Sequence, residues 1–321
     1  MAALIELRGL TVELPAPAGW IRPVNDVSLR IDSGESLGLV GESGSGKTML
    51  SLALMGLLPP GARVSGGARL SARDAEKDLT CLPEDGWRGV RGREIAMIFQ
   101  EPMTSLNPVM HIGAQIEEAI QAHEERARAE DVRRRSLEAL RLAAVPEAEM
   151  RAMQFPHQLS GGLRQRAMIA MALAAGPRLL IADEPTTALD VTVQKQILEL
   201  LQKLRRGLQL GLLFITHDLG VVAQVADRIA VMYAGRIIEE GPAREVLAAP
   251  RHPYTQGLLR ASPTLERGKL TPIPGSVPQL LALPPGCAFE PRCDFRRGEC
   301  SAAVPGLRPA SPEHAARCVL V

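Results

Sequence analysis

Five residues of strand character, SLGLV (Ser36 to Val40), run into GESGSGKT (Gly41 to Thr48), which passes straight into the helical pattern MLSLALMGLL. The octapeptide matches G-x-x-x-x-G-K-[ST] at every fixed position, in the strand–loop–helix setting that the pattern requires. Gly41, Gly44 and Gly46 let successive backbone N–H groups turn inward. With Glu42, Ser43 and Ser45 between them, they form a concave row of donors for phosphate oxygens. Lys47 supplies a cation for the β- and γ-phosphates, and Thr48 a hydroxyl for Mg²⁺. A chain that carries this element needs a buried strand ending at the loop and a helix leaving it, hence an α/β domain with a nucleoside triphosphate site.

LLIADEP (Leu179 to Pro185) supplies the second half of such a site. Its apolar run predicts a buried parallel strand with Asp183 at the carboxyl end, where these sheets bind ligands. Asp183 is placed to hold Mg²⁺ through water, and Glu184 is the candidate general base for the attacking water. IAMIF (Ile95 to Phe99) and GLLFIT (Gly211 to Thr216) read as further strands, and RIAVMYAGRIIEEG as a hairpin turning at Ala234-Gly235. No strand pattern occurs between Gln100 and Ser160. QIEEAIQAH and SLEALRLAAV there predict a helical insertion over about residues 101–163. Composition shifts after Gly241: 13 of the 25 prolines lie from Pro242 onward. A proline-rich segment of little periodicity is not expected to extend the sheet. The expected division is therefore an ATPase domain over 1–250 and a small extension over 251–321.

A net charge of +1 argues against a nucleic-acid footprint. The run Arg133 to Arg135 reads as a solvated helix face. The opening MAALIELRGLTVEL lacks the charged leader and small-residue cleavage site of a signal peptide. No window approaches the ~18 consecutive apolar residues of a membrane span. The expected compartment is the cytosol, where disulfides are disfavoured and clustered cysteines point to metal or redox chemistry.

LSGGLRQR (Leu159 to Arg166) decides among the many chains with such a phosphate loop. LSGG-x-x-QR shortly before LLIADEP, then DEPTTALD and a later THD, resembles the ATP-binding-cassette (ABC) ATPases from end to end. The resemblance implies a P-loop NTPase fold with a helical insertion, acting as a dimer. Ser160, Gly161 and Gly162, a helix N-terminus with bare amides, would then close over the γ-phosphate held by a second subunit. It also implies that Gln100 (IFQEP) touches Mg²⁺ and water and links the insertion to the core. Asp190 would cross between the two ATP sites, and His217 (FITHDL) would reach the γ-phosphate. The catalytic set is Lys47, Gln100, Glu184 and His217, with Mg²⁺ held through Thr48, Gln100 and Asp183. Two departures stand out: Leu163 where many members have Gln, and no aromatic at the adenine-stacking place. Leu14 occupies that place, and Trp20 is the nearest aromatic.

PRHPYTQGLL, IPGSVP and PPGCAFEPRC resemble the C-terminal extension of dipeptide and oligopeptide importer ATPases, a group that also serves nickel and glutathione. The resemblance implies two transmembrane permease subunits docked on the helical insertion and a related second ATPase forming a heterodimer. It further implies an extracytoplasmic substrate-binding protein that acts indirectly, and a peripheral position on the cytoplasmic face of the bacterial inner membrane. A soluble, non-transport ABC ATPase is the competing class; such chains usually carry two cassettes or a long coiled coil between Walker A and LSGG. Four of the five cysteines, Cys287, Cys293, Cys300 and Cys318, fall in this extension, spaced C-x5-C-x6-C-x17-C. Reduced thiols, a Zn²⁺ site and an iron–sulfur cluster compete. Small appendages usually need a staple, and zinc sites commonly use closer pairs. The resemblance to peptide-importer ATPases implies a [4Fe–4S] cluster on these four thiolates.

Overall fold

The computed structural model describes residues 3–100, 105–124, 126–187, 189–262 and 271–321. Its centre is a sheet in the order β11-β12-β10-β9-β3-β8-β7-β6. Five of these strands are parallel: β6 (Ile95–Ile98), β7 (Leu179–Asp183), β8 (Gly211–Thr216), β3 (Ser36–Val40) and β9 (Arg228–Tyr233). Every residue of β3, β7 and β8 is buried, as expected of strands covered on both faces. Alternation decides which layer each side chain joins. Leu212 and Phe214 pack with the helical layer, whereas Leu213 and Ile215 face a second, antiparallel sheet. That sheet is ordered β2-β1-β4-β5 and is built on the long hairpin of β1 (Ala3–Ala16) and β2 (Gly19–Asp32), with β4 (Arg63–Ser71) and β5 (Glu76–Asp78) beside it.

The expected hairpin is β9 with β10 (Arg236–Pro242). Ala234 and Gly235 both have positive φ, 46° and 85°, the two-residue turn whose twist suits antiparallel strands. Among the described residues of the expected insertion there are helices and no strand; residues 101–104 and 125 lie outside the description. In order come α3 (Ile112–Gln121), α4 (Ala129–Leu142), α5 (Ala148–Ala152) and the start of α6 (Gly161–Leu173). α3 buries Ile112, Ile116 and Ile120, one face at a spacing of four. Arg134 pairs with Asp131 and Glu138, and Arg135 with Glu124, so the arginine run is a solvated, ion-paired face.

The proline-rich tail does extend the sheet, against expectation. β12 (Ala315–Ala316) pairs antiparallel with β10, and β11 (Arg308–Pro309) pairs with β12. The reason is local. The inner strand of the two contains no proline, and Pro309 sits on the outermost one, where a missing N–H is tolerated. A buried polar lock holds the addition: the Glu239 carboxylate accepts from the N–H groups of Arg251 (2.6 Å) and His252 (2.8 Å), and His314 Nε2 lies 2.7 Å from it. Tyr254 of α10 (Pro253–Ala261) and Phe289 join the same hydrophobic cluster as β8 and β9, so packing is continuous across residue 250.

Because Glu239 is fully buried, His314→Ala leaves a carboxylate short of one partner. A loss of about 2 kcal/mol in unfolding free energy is expected, read by urea denaturation. An unchanged transition midpoint would show that the tail is held some other way.

Candidate functional site

Residues 41–46 leave β3 and enter α1 (Lys47–Leu54). Gly46 has φ 109°, and a Cβ there would collide with the carbonyl oxygen of Pro23, so only glycine fits. Lys47 is buried, and its ammonium donates to Gly41 O (2.6 Å), Glu42 O (3.0 Å) and Ser45 Oγ (3.3 Å). The loop is thus closed around its own cation. Burial pushes the Lys47 pKa down, while the carboxylates of Glu184, Asp183 and Glu42 push it back up.

Asp183 ends β7 and is 2% exposed. Burial raises its pKa, and the hydroxyl of Thr48 opposes the shift by hydrogen bonding to it. Its Oδ1 has no hydrogen-bond partner. A buried oxygen without a partner beside a threonine hydroxyl suits a hard divalent cation, which binds few protein oxygens and keeps its own waters. The residues present therefore fit Mg²⁺.

Glu184 has φ 47° and turns its carboxylate out of the strand line. That carboxylate receives Thr187 Oγ1 at 2.9 Å and Gln100 Nε2 at 3.3 Å, and His217 Nδ1 stands 3.4 Å away. Thus Gln100, Glu184 and His217, from three different strand ends, meet. Among the described residues, no hydrogen bond links Ser160, Gly161 or Gly162 to them. Ser160 caps α6, its hydroxyl accepting from Leu163 N–H at 3.4 Å. A Cβ at Gly162 would stand 2.8 Å from Val193 Cγ1 on α7 (Val191–Leu208), the helix that Asp190 caps through Val193 N–H at 2.9 Å. Signature and Asp190 form a cluster of their own. Leu163 keeps its N–H in this cap, so the departure at that position costs no backbone donor. Trp20 lies under the Arg63 guanidinium, 3.8 Å from its ring centroid, so one ring face is already covered.

Two residues that sequence reasoning missed also touch the phosphate loop: Tyr254 and Arg292, both on Glu42. Neither lies in a phosphate-binding pattern, and nothing local could have marked them.

The four tail cysteines line one cavity, together with Phe289, Phe295 and Leu320. All are free thiols. Burial pushes Cys287 up to about 11 and raises Cys293 and Cys318 as well. Among the described residues, no group of three or more His, Cys, Asp or Glu side chains is arranged to hold a metal ion, so the expected metal site on the four cysteines finds no support in this arrangement.

Residues 24–187 match the family model described as ABC transporter, and residues 238–300 match the C-terminal region of oligopeptide/dipeptide transporters. The chain belongs to the ABC transporter family. It is 50% identical to the oligopeptide transport ATP-binding protein OppD of Bacillus subtilis, over 91% of this chain and 82% of that one. With OppD of Salmonella typhimurium it shares 47% over 98% of this chain and 93% of the relative. A solved dimeric ATP-binding cassette in a post-hydrolysis state, bound to ADP and Pi, is 29% identical with a TM-score of 0.66, covering 75% of this chain and 99% of that one.

As an ABC cassette the chain is an ATPase that powers transport, and its substrate is ATP with Mg²⁺. The expected roles of these residues are separable. Lys47 sits where it can exchange loop acceptors for phosphate oxygens, whereas Glu184 has no part in the loop and is aimed by Gln100, Thr187 and His217. Glu184→Gln is therefore expected to keep ATP binding and to lose about 10²- to 10⁴-fold in turnover. Lys47→Ala should instead weaken binding itself. Parental turnover in the glutamine variant, measured in the assembled transporter, would remove Glu184 as the base.

Proposed function

We propose that this cassette hydrolyses ATP to drive uptake of dipeptides or oligopeptides through partner permeases. The observation that carries the reading is the oligopeptide/dipeptide-type region over residues 238–300 joined to a complete ATP motif set. Several relatives are named for oligopeptide or dipeptide transport, among them DppD of Bacillus subtilis, 46% identical over the whole chain. No helix among the described residues is long and apolar enough to cross a membrane, so the transmembrane path belongs to other subunits. A groove between the core and the helical part, lined by Met55, Phe99, Ala119, His123, Met168 and Met171, offers apolar surface beside Gln100 for their cytoplasmic helices.

In this reading the phosphate loop Gly41–Thr48 holds ATP; Asp183, Thr48 and Gln100 would hold Mg²⁺, which would supply charge neutralisation for the transferred phosphoryl group. Glu184 takes a proton from the attacking water, and His217 steadies the γ-phosphate. Ser160, Gly161 and Gly162 serve the ATP of a second, related ATPase. The separation of signature and phosphate loop into two clusters supports such composite sites. ATP favours the closed pair and hydrolysis releases it, a shift driven by differential affinity. The complex would sit peripherally at the cytoplasmic face of the inner membrane, with an extracytoplasmic binding protein selecting cargo.

The test is reconstitution with the two permeases and the binding protein. Peptide-loaded binding protein should stimulate ATP hydrolysis. Stimulation by nickel or glutathione alone would reassign the cargo, and failure to co-purify with two polytopic subunits would point to a non-transport cassette.

The four-cysteine cavity is proposed to hold a [4Fe–4S] cluster, with Cys287, Cys293, Cys300 and Cys318 as ligands and a structural or sensory role. What supports the reading is the resemblance to peptide-importer ATPases and the presence of four thiols along one cavity; wide ligand spacing also suits a multi-metal core better than Zn²⁺. Protein purified without oxygen is expected to be brown, with a band near roughly 400 nm and about four irons per chain. Cys293→Ser should bleach it. A colourless preparation with one stoichiometric zinc would overturn the assignment.

A further inference from the structure

Glu42 is the second residue of the phosphate loop, and the loop does not hold it alone. Its backbone N–H donates to the Tyr254 hydroxyl at 2.8 Å. Its carboxylate receives a two-pronged contact from Arg292, Nη1 to Oε2 at 2.7 Å and Nη2 to Oε1 at 3.0 Å. The Arg292 side chain is only 5% exposed, against 31% for Glu42. Its remaining donors are committed too: Nε gives to Pro274 O at 2.8 Å, and Nη1 lies 3.3 Å from the Tyr233 hydroxyl. This is a preorganised fork, of the kind whose geometry specifies as well as binds.

Arg292 does not line the cysteine cavity, but Glu290 and Cys293 on either side of it in the chain do. Arg292 closes the 3₁₀ turn Glu290–Arg292, in which Glu290 N–H donates to Cys287 O (2.9 Å) and Cys293 N–H to Glu290 O (3.1 Å). One tight turn therefore carries a cavity cysteine at its start, another just past its end, and the guanidinium that grips the phosphate loop between them. A displacement of Cys287 or Cys293 cannot leave Arg292 in place.

The electrostatic sense is plain. The loop gathers donors around a polyanion, and the Glu42 carboxylate is near enough to raise the pKa of Lys47. Unpaired, that carboxylate would repel ATP and compete for the lysine; paired with Arg292, its charge is compensated inside a site of low dielectric. We propose that Arg292 is a positioning residue of the ATP site, and that through it the state of the four-cysteine cavity sets the affinity of the phosphate loop for ATP. Coupling of this kind is reciprocal, so ATP also biases the cavity.

The inference rests on residues 41–48 being the ATP loop, and ATP binding by the parent chain is the control that separates the two. A parent that bound no ATP would count against the loop reading. With binding established, Mg·ATP affinity of the full chain is measured by calorimetry beside melting temperature. Arg292→Gln is expected to weaken binding about tenfold. Arg292→Lys, which keeps the charge but not the fork, should fall between and serves if the glutamine variant does not fold. Adding Glu42→Gln should recover part of the loss, because the uncompensated charge is gone; a merely structural arginine would lower the melting temperature with no such rescue. Cys293→Ser should weaken ATP binding in the parent and add nothing in the Arg292→Gln background. Parental affinity in Arg292→Gln, or a Cys293→Ser effect that simply adds to it, would overturn the proposal.

Discussion

The parallel register of three buried strands is the constraint from which the rest of the site follows. Val40 lies opposite Thr216 on one side and Val231 on the other, and Asp183 lies opposite Ile215. Gly41, Glu184 and His217 therefore leave the sheet at nearly one level, along one edge. A slip of a single residue in any pairing would turn that strand's apolar side chains into the wrong layer. Alternation between the two packed layers thus protects the alignment of the residues along that edge.

The aligned edge is costly in the absence of ligand. Lys47 and Asp183 are both buried, and burial works against the charged form of each. Asp183 keeps an oxygen without a partner, and Glu184 holds a left-handed backbone conformation that glycine would adopt more easily. Hydrophobic burial on both faces of the sheet offsets these costs. The site is preorganised for a polyanion and a cation that the rest of the fold makes room for.

Much of this was legible in the sequence because it is local. SLGLV, LLIAD and GLLFIT are the strands β3, β7 and β8 to the residue; each is a continuous apolar run bounded by turn residues. The meeting of Gln100, Glu184 and His217 was legible only through resemblance, since their spacing carries no geometry. What was not legible depends on distant surfaces. Ala315–Ala316 has no strand pattern and becomes a strand because β10 offers it a partner. The contact of Arg292 with Glu42 spans 250 residues, and an arginine between a proline and a cysteine signals nothing by itself. The four cysteines stood out by count, yet their convergence on one cavity required the fold.

The two short strands of the tail bear on how such a molecule avoids unwanted company. Without them β10 would be the outer strand of a large sheet, with a row of free N–H and C=O groups ready to template another chain. β12 covers the middle of β10 at Glu239 and Glu240, and beyond it lies β11, two residues long and ending in Pro309, which offers a newcomer almost no ladder. The tail thereby leaves the margin of the sheet with little backbone to offer another chain.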